Sequence, residues 1–161
     1  MLNCSILFLV LILYCVEGSR CPDGEFDKWK EFRGFCYHFS ERSATWRRAK
    51  EACTRAAEGS YIADILSEEE NNWIFERLNT YHYYEDYYIG ATDREWEGHF
   101  VWENSGESLD DTYTNWNEGE PNQHLDTPEN CAEMKISNGK WNDIPCDIVM
   151  RYVCKLPVYE K

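Results

Sequence analysis

Basic residues are scarce in this chain: 16 Lys and Arg stand against 30 Asp and Glu in 161 residues, a formal charge of −14. A surface of that sign repels phosphate backbones and anionic lipid, which excludes nucleic acid as a partner and favours a hard cation. No two cysteines stand in a C-x-x-C arrangement, so a zinc knuckle or dithiol redox motif lacks its residues. No D-x-[DN]-x-[DN]-G-x5-E run is present either. An EF-hand is therefore excluded, and a calcium site would have to be assembled from separate segments. Collagen triplets, a heptad stalk, internal repeats and linkers are missing, so homo-oligomer formation for avidity has no visible device. No Ser or Cys nucleophile lies in a motif with a nearby base, and the expectation is a binding protein, not an enzyme.

Long apolar runs are also lacking. The only sustained one, Ile6 to Val16, is too short to span a bilayer. Residues 1–18 read as a secretory signal, with Val16 and Gly18 the small residues ahead of a cut at Ser19. No Lys or Arg precedes the run, and an uncleaved anchor is the alternative. The expectation is a secreted, extracellular protein without membrane insertion, with one domain at 19–161 and its core at 21–157. Cleavage removes Cys4 and Cys15 and leaves Cys21, Cys36, Cys53, Cys131, Cys146 and Cys154. Six cysteines in an exported domain imply three bridges, and spacing alone does not choose among the pairings.

What the chain has in abundance is aromatic surface: seven Trp, eleven Tyr and seven Phe, enough to stabilise one core strongly. Alternation around Phe35-Cys36-Tyr37-His38-Phe39 predicts a strand paired with an earlier one. Residues 43–57 have helical spacing, with Trp46, Ala49, Ala52, Cys53 and Ala56 near one face and Gly59 as the stop. Ser67-Glu68-Glu69-Glu70 is a capping box that opens a second helix through Trp73, Ile74, Phe75 and Leu78. Further strands are expected at Tyr87-Tyr88-Ile89-Gly90-Ala91, at His99-Phe100-Val101-Trp102, and over 132–136, 139–141 and 151–155. The stretch 109–128 is polar and without periodicity, a length that marks a functional loop. His38, His82 and His99 read as structural residues, Trp102, Trp116 and Trp141 as core, and Tyr81-His82-Tyr83-Tyr84 as an exposed turn. The fold class is α+β.

From Asn115 to Asp143 the chain is dense in side-chain oxygen. Glu120, Asn122, Glu129, Asn142 and Asp143 offer the mixture of carboxylate and amide carbonyl that calcium accepts. Pro121 between the first two can hold a cis bond and turn both neighbours to one side.

The ordered set Glu120-Pro121-Asn122, Glu129-Asn130-Cys131, Trp141-Asn142-Asp143, Cys146 and Cys154 resembles a C-type lectin domain. Upstream, Ala52-Cys53, Tyr88-Ile89-Gly90-Ala91, Gly98-His99-Phe100-Val101-Trp102 and Asn115-Trp116 extend the resemblance over 21–157. It implies two helices, two small antiparallel sheets and a long calcium-binding loop region. It also implies bridges Cys53–Cys154 and Cys131–Cys146, with Cys21–Cys36 as in the long form of the fold.

The resemblance further implies a principal Ca2+ site at Glu120, Asn122, Glu129, Asn142 and Asp143, the same residues binding carbohydrate with His124 beside them. Its Glu-Pro-Asn order is similar to that of binders of mannose, fucose and N-acetylglucosamine glycans. An auxiliary metal site would use Asp93, Glu97 and Asn130. Here Gln123 and Asn130 stand where the family has acids, with Asp126 a substitute for them, and surface charges or local caps are the competing reading of Asp93 and Glu97. A rival function is a lectin-like protein that binds no sugar and serves a mineral-matrix, ice-binding or protein-ligand role. Whether the role is innate immunity, adhesion or matrix is left open.

Overall fold

The structure, a computed structural model, describes residues 3–5, 14–16, 21–22, 29–80, 85–122 and 127–158. Strand β1 (Asn3–Ser5) pairs antiparallel with β2 (Tyr14–Val16). The rest of the expected signal, the Tyr81-His82-Tyr83-Tyr84 cluster, Gln123, His124 and Asp126 lie outside the described residues. The alternating aromatics form β4 (Phe35–Phe39), folded back on β3 (Lys30–Phe32).

Helix α1 (Trp46–Ala56) buries Trp46, Ala49 and Cys53, the face its periodicity gives. It starts three residues later than the spacing suggests, because Ala44 is drawn into a bridge with Met150. No side chain caps it; the Trp46 N–H donates instead to the Cys146 carbonyl at 3.0 Å, so the free first-turn donor is met by a tertiary contact. After β5 (Tyr61–Ile62) comes α2 (Glu68–Thr80). Ser67 Oγ accepts from the Glu70 N–H at 3.2 Å, as a capping box requires. The return bond is displaced by one residue, since Glu70 Oε2 takes the Leu66 N–H at 2.9 Å.

The remaining elements are β6 (Tyr87–Thr92), β7 (Val101–Trp102), a 3-10 turn at Leu109–Asp111, β8 (Cys131–Met134), β9 (Trp141–Ile144) and β10 (Arg151–Pro157). The strand order is β3-β4-β10-β6-β8-β9, with β5 on β10 and β7 on β6. The two antiparallel groups expected from sequence are joined by a short parallel pairing, Arg151 with Tyr87 and Tyr152 with Tyr88, into one mixed sheet. The strand expected at 139–141 instead runs Trp141–Ile144, because Gly139 has φ 72° and belongs to a turn. That shift places Asn142 and Asp143 on a strand rather than beyond one.

Two apolar clusters flank the sheet. One gathers Ile74 and Leu78 of α2 with Trp102 and Trp141; the other gathers Trp46 and Cys53 of α1 with Tyr88 and Cys131. All three bridges form as the resemblance implies: Cys21–Cys36, Cys53–Cys154 and Cys131–Cys146. Closest approach is at Gly90, where a Cβ would sit 2.7 Å from the Ile62 carbonyl oxygen and 3.0 Å from that of Ala63. Backbone cannot yield as a side-chain tip can, so Gly90→Ala is expected to cost about 1–3 kcal/mol. Urea unfolding with an unchanged slope checks this; a loss within error would contradict the packing.

Candidate functional site

The polar loop reaches the sheet through aromatic packing. Trp116 meets Trp141 at 5.9 Å and Phe100 at 4.9 Å, both edge-on. Backbone bonds lock the same segment to β9: Trp141 N–H to Asn115 O and Asn117 N–H to Trp141 O, each 2.8 Å. Trp141 is held from behind by its indole N–H on Asn71 Oδ1 at 2.8 Å. From this anchor the Glu120 N–H turns back to Asn117 O at 3.0 Å, and the Glu120–Pro121 bond is cis.

Three of the five principal residues meet. Asn122 donates its backbone N–H to Asp143 Oδ1 at 3.0 Å and its Nδ2 to Glu120 Oε2. Asp143 is 3% exposed. Burial, opposed by the Asn122 N–H and reinforced by neighbouring Glu120, pushes its carboxyl up to about 7. Two carboxylates pressed together in a poorly hydrated place resist joint ionisation unless positive charge joins them. Asn142 lies next to Asp143 on β9, its Nδ2 donating to Glu133 Oε1 at 3.1 Å. Glu129 stands half-buried ahead of Cys131, and no hydrogen bond or ion pair connects its side chain to the other four among the described residues.

The auxiliary trio is also gathered. Asp93 is 2% exposed, so of its two competing readings surface charge fails, while its bond to the Gly98 N–H is a local cap. Its N–H reaches Asn130 O at 3.3 Å, and its Oδ2 accepts from the Gly98 N–H at 2.8 Å. Burial raises its carboxyl, and Glu97 beside it raises it further. Asp93 Oδ1 and Asn130 Oδ1 are both buried without a hydrogen-bond partner. Two buried oxygens without a donor, one on each of two segments that meet here, are costly unless something electropositive meets them.

Among the described residues no three His, Cys, Asp and Glu side chains converge as a metal cluster. The donor set counts two amides beside three carboxylates, and oxygen-only, mixed-charge chemistry fits calcium rather than zinc or copper. Sequence reasoning missed Glu133, a charged residue at 4% exposure inside an otherwise apolar strand. Burial raises its carboxyl, with Asp86 adding to the shift and Lys135 opposing it.

A family model described as Lectin C-type domain matches residues 42–156. The chain belongs to this family of C-type lectin domains, which generally bind calcium and are generally non-enzymatic. It is 31% identical over 151 residues to Lectin BRA-3 of Megabalanus rosa, covering 93% of this chain and 88% of that one. The cow C-type carbohydrate-recognition domain of CD23, solved in the presence of a GlcNAc2Man3 oligosaccharide, superposes with a TM-score of 0.73. It is 33% identical, covering 87% of this chain and 98% of that one. A calcium-independent type II antifreeze protein shares the fold at TM-score 0.70 and 24% identity, with coverage of 86% and 95%. At family level the C-type lectin relatives support carbohydrate binding. No helix among the described residues is long and apolar enough to cross a membrane.

Proposed function

We propose that the chain is a secreted, calcium-dependent lectin for mannose-type glycans and that it acts by binding, without catalysis. The observation that carries this reading is the contact of Glu120, Asn122 and Asp143 at the end of an anchored loop. Glu120, Asn122, Glu129, Asn142 and Asp143 would hold the ion, and His124 would lie beside the sugar. Calcium, when bound, supplies coordination to two neighbouring sugar hydroxyls. The protein does the rest. Glu120 and Glu129 would each accept a hydrogen bond from one hydroxyl, while an amide N–H of Asn122 or Asn142 would donate to that hydroxyl's oxygen. Asp93, Glu97 and Asn130 would hold a second ion, which the two orphaned oxygens favour.

The test is retention on a mannose matrix in calcium and release by a chelator. Retention that survives chelation would remove calcium from the binding step, and failure on every glycan of a panel would turn the assignment to the sugar-independent role that the antifreeze relative exemplifies. Ligand order is checked by Glu120→Gln with Asn122→Asp, expected to weaken mannose relative to galactose by about tenfold or more, since a donor facing a donor loses its bond. Competition binding with both sugars reads it; an unmoved preference would refute the acid and amide roles.

A further inference from the structure

The candidate site holds a residue whose side chain is fixed by a neighbour on the adjacent strand. Asn142 stands directly across from Glu133 in the β8–β9 register, so their side chains share one face of the sheet. Glu133 Oε1 accepts from Asn142 Nδ2 at 3.1 Å and from Lys135 Nζ at 3.2 Å. Lys135 Nζ also meets Asp86 Oδ2 at 2.8 Å, and Asp86 Oδ1 accepts the Ile136 N–H at 2.7 Å. The carboxylate is thus buried, paired with an ammonium that it shares with Asp86, and fixed from below.

A primary amide is nearly symmetric in shape, and without a partner either end can face outward. An ionised carboxylate accepts and never donates, so it admits only the NH2 end of Asn142. We infer that Glu133 is the positioning residue of the site: it aims the Asn142 carbonyl oxygen, and the second N–H, away from the sheet and toward the ligand. The inference deepens the calcium-lectin reading and rests on it for its consequence, while the orienting bond stands on its own geometry. The opposite orientation would put NH2 where a cation needs oxygen and would leave Glu133 facing a carbonyl.

Calorimetric titration of calcium into the folded, oxidised protein supplies the first readout. Glu133→Leu is expected to weaken calcium by about 10–100-fold, the usual cost of losing a residue that orients a metal ligand. Glu133→Gln keeps an acceptor oxygen and should recover most of that loss. Asn142→Asp gives the decisive comparison, because its two oxygens are equivalent and need no aiming. In that background Glu133→Leu removes a like charge and should strengthen calcium binding, reversing its sign. Equal losses in both backgrounds would mean a merely structural role and would overturn the inference, as would an unchanged affinity for Glu133→Leu.

A second readout needs no metal. In chelator, one of the two Asn142 Nδ2 protons should exchange slowly by NMR, and Glu133→Leu should abolish the difference. Two equally fast protons in the wild-type protein would remove the orienting bond itself. Absence of calcium uptake by the wild-type protein, with the slow proton present, would sink the proposed function and leave the orientation standing.

Discussion

Lys155→Met is expected to cost the fold about 3–5 kcal/mol at neutral pH, the range for breaking a buried ion pair by removing one partner. Lys155 is fully buried in β10. Its ammonium has three protons and three acceptors: Asp64 Oδ1 at 2.6 Å, Glu70 Oε1 at 2.6 Å and Asp64 O at 3.2 Å. The Phe35 ring lies 4.2 Å from Nζ, and the Tyr37 hydroxyl donates to Glu70 Oε1 at 2.6 Å. One lysine thus bridges two carboxylates, from α2 and the segment before it, and joins them to the central strand.

Without that cation both carboxylates stay behind in a place that already raises Asp64 through burial. A carboxyl raised in the folded state contributes stability that is present below its unfolded pKa and lost as pH rises. The deficit of Lys155→Met should therefore be largest at neutral pH and shrink toward about pH 5. Adding Asp64→Asn and Glu70→Gln removes the orphaned charge and should recover a good part of the loss. Urea unfolding across pH measures all of this. A neutral-pH cost below about 1 kcal/mol, the scale of an exposed pair, would sink the account.

Legibility from sequence divides along the distance between partners. Patterns that close within a few residues were visible: the buried face of α1, the Ser67 cap, the alternating aromatics of β4 and the short run that makes most of β6. The bridges and the ligand set came from the ordered resemblance; spacing alone left the cysteines unpaired. What stayed hidden depends on partners far apart in the chain. Lys155 and Glu133 are conspicuous as charges inside apolar strands, yet Asp64 and Glu70 lie 91 and 85 residues from Lys155. The parallel seam between β10 and β6 is likewise a tertiary choice. A lone acid in a turn reads as a surface charge or a local cap, which is how Asp93 reads from sequence. Only the fold shows that the turn folds inward against Asn130. For β9 the cause is Gly139, whose left-handed φ places it in a turn where alternation suggested a strand.

In chelator, the protein is expected to become more stable as pH falls from about 8 toward 5, and calcium should reverse that slope. The metal-free slope follows from Asp143, raised to about 7 chiefly by burial and then by Glu120, and from Asp93, raised by burial and Glu97. Unfolded aspartate titrates near about 3.9, so over the window between, the folded state binds more protons and stability falls as pH rises. Calcium requires these oxygens ionised, so protons compete with it. At a hundredfold excess over its dissociation constant, calcium adds about 2.7 kcal/mol, and that gain shrinks on acidification. The two melting curves should separate at neutral pH and converge in acid, and sugar affinity should fall in parallel. Asp143→Asn should flatten most of the chelator slope near pH 7 and sharply reduce the calcium gain. Melting temperatures in chelator that are flat or increase with pH would remove the crowded-carboxylate picture of the site. Glycan affinity that holds constant from neutral to about pH 4.5 would remove the ion from the binding step.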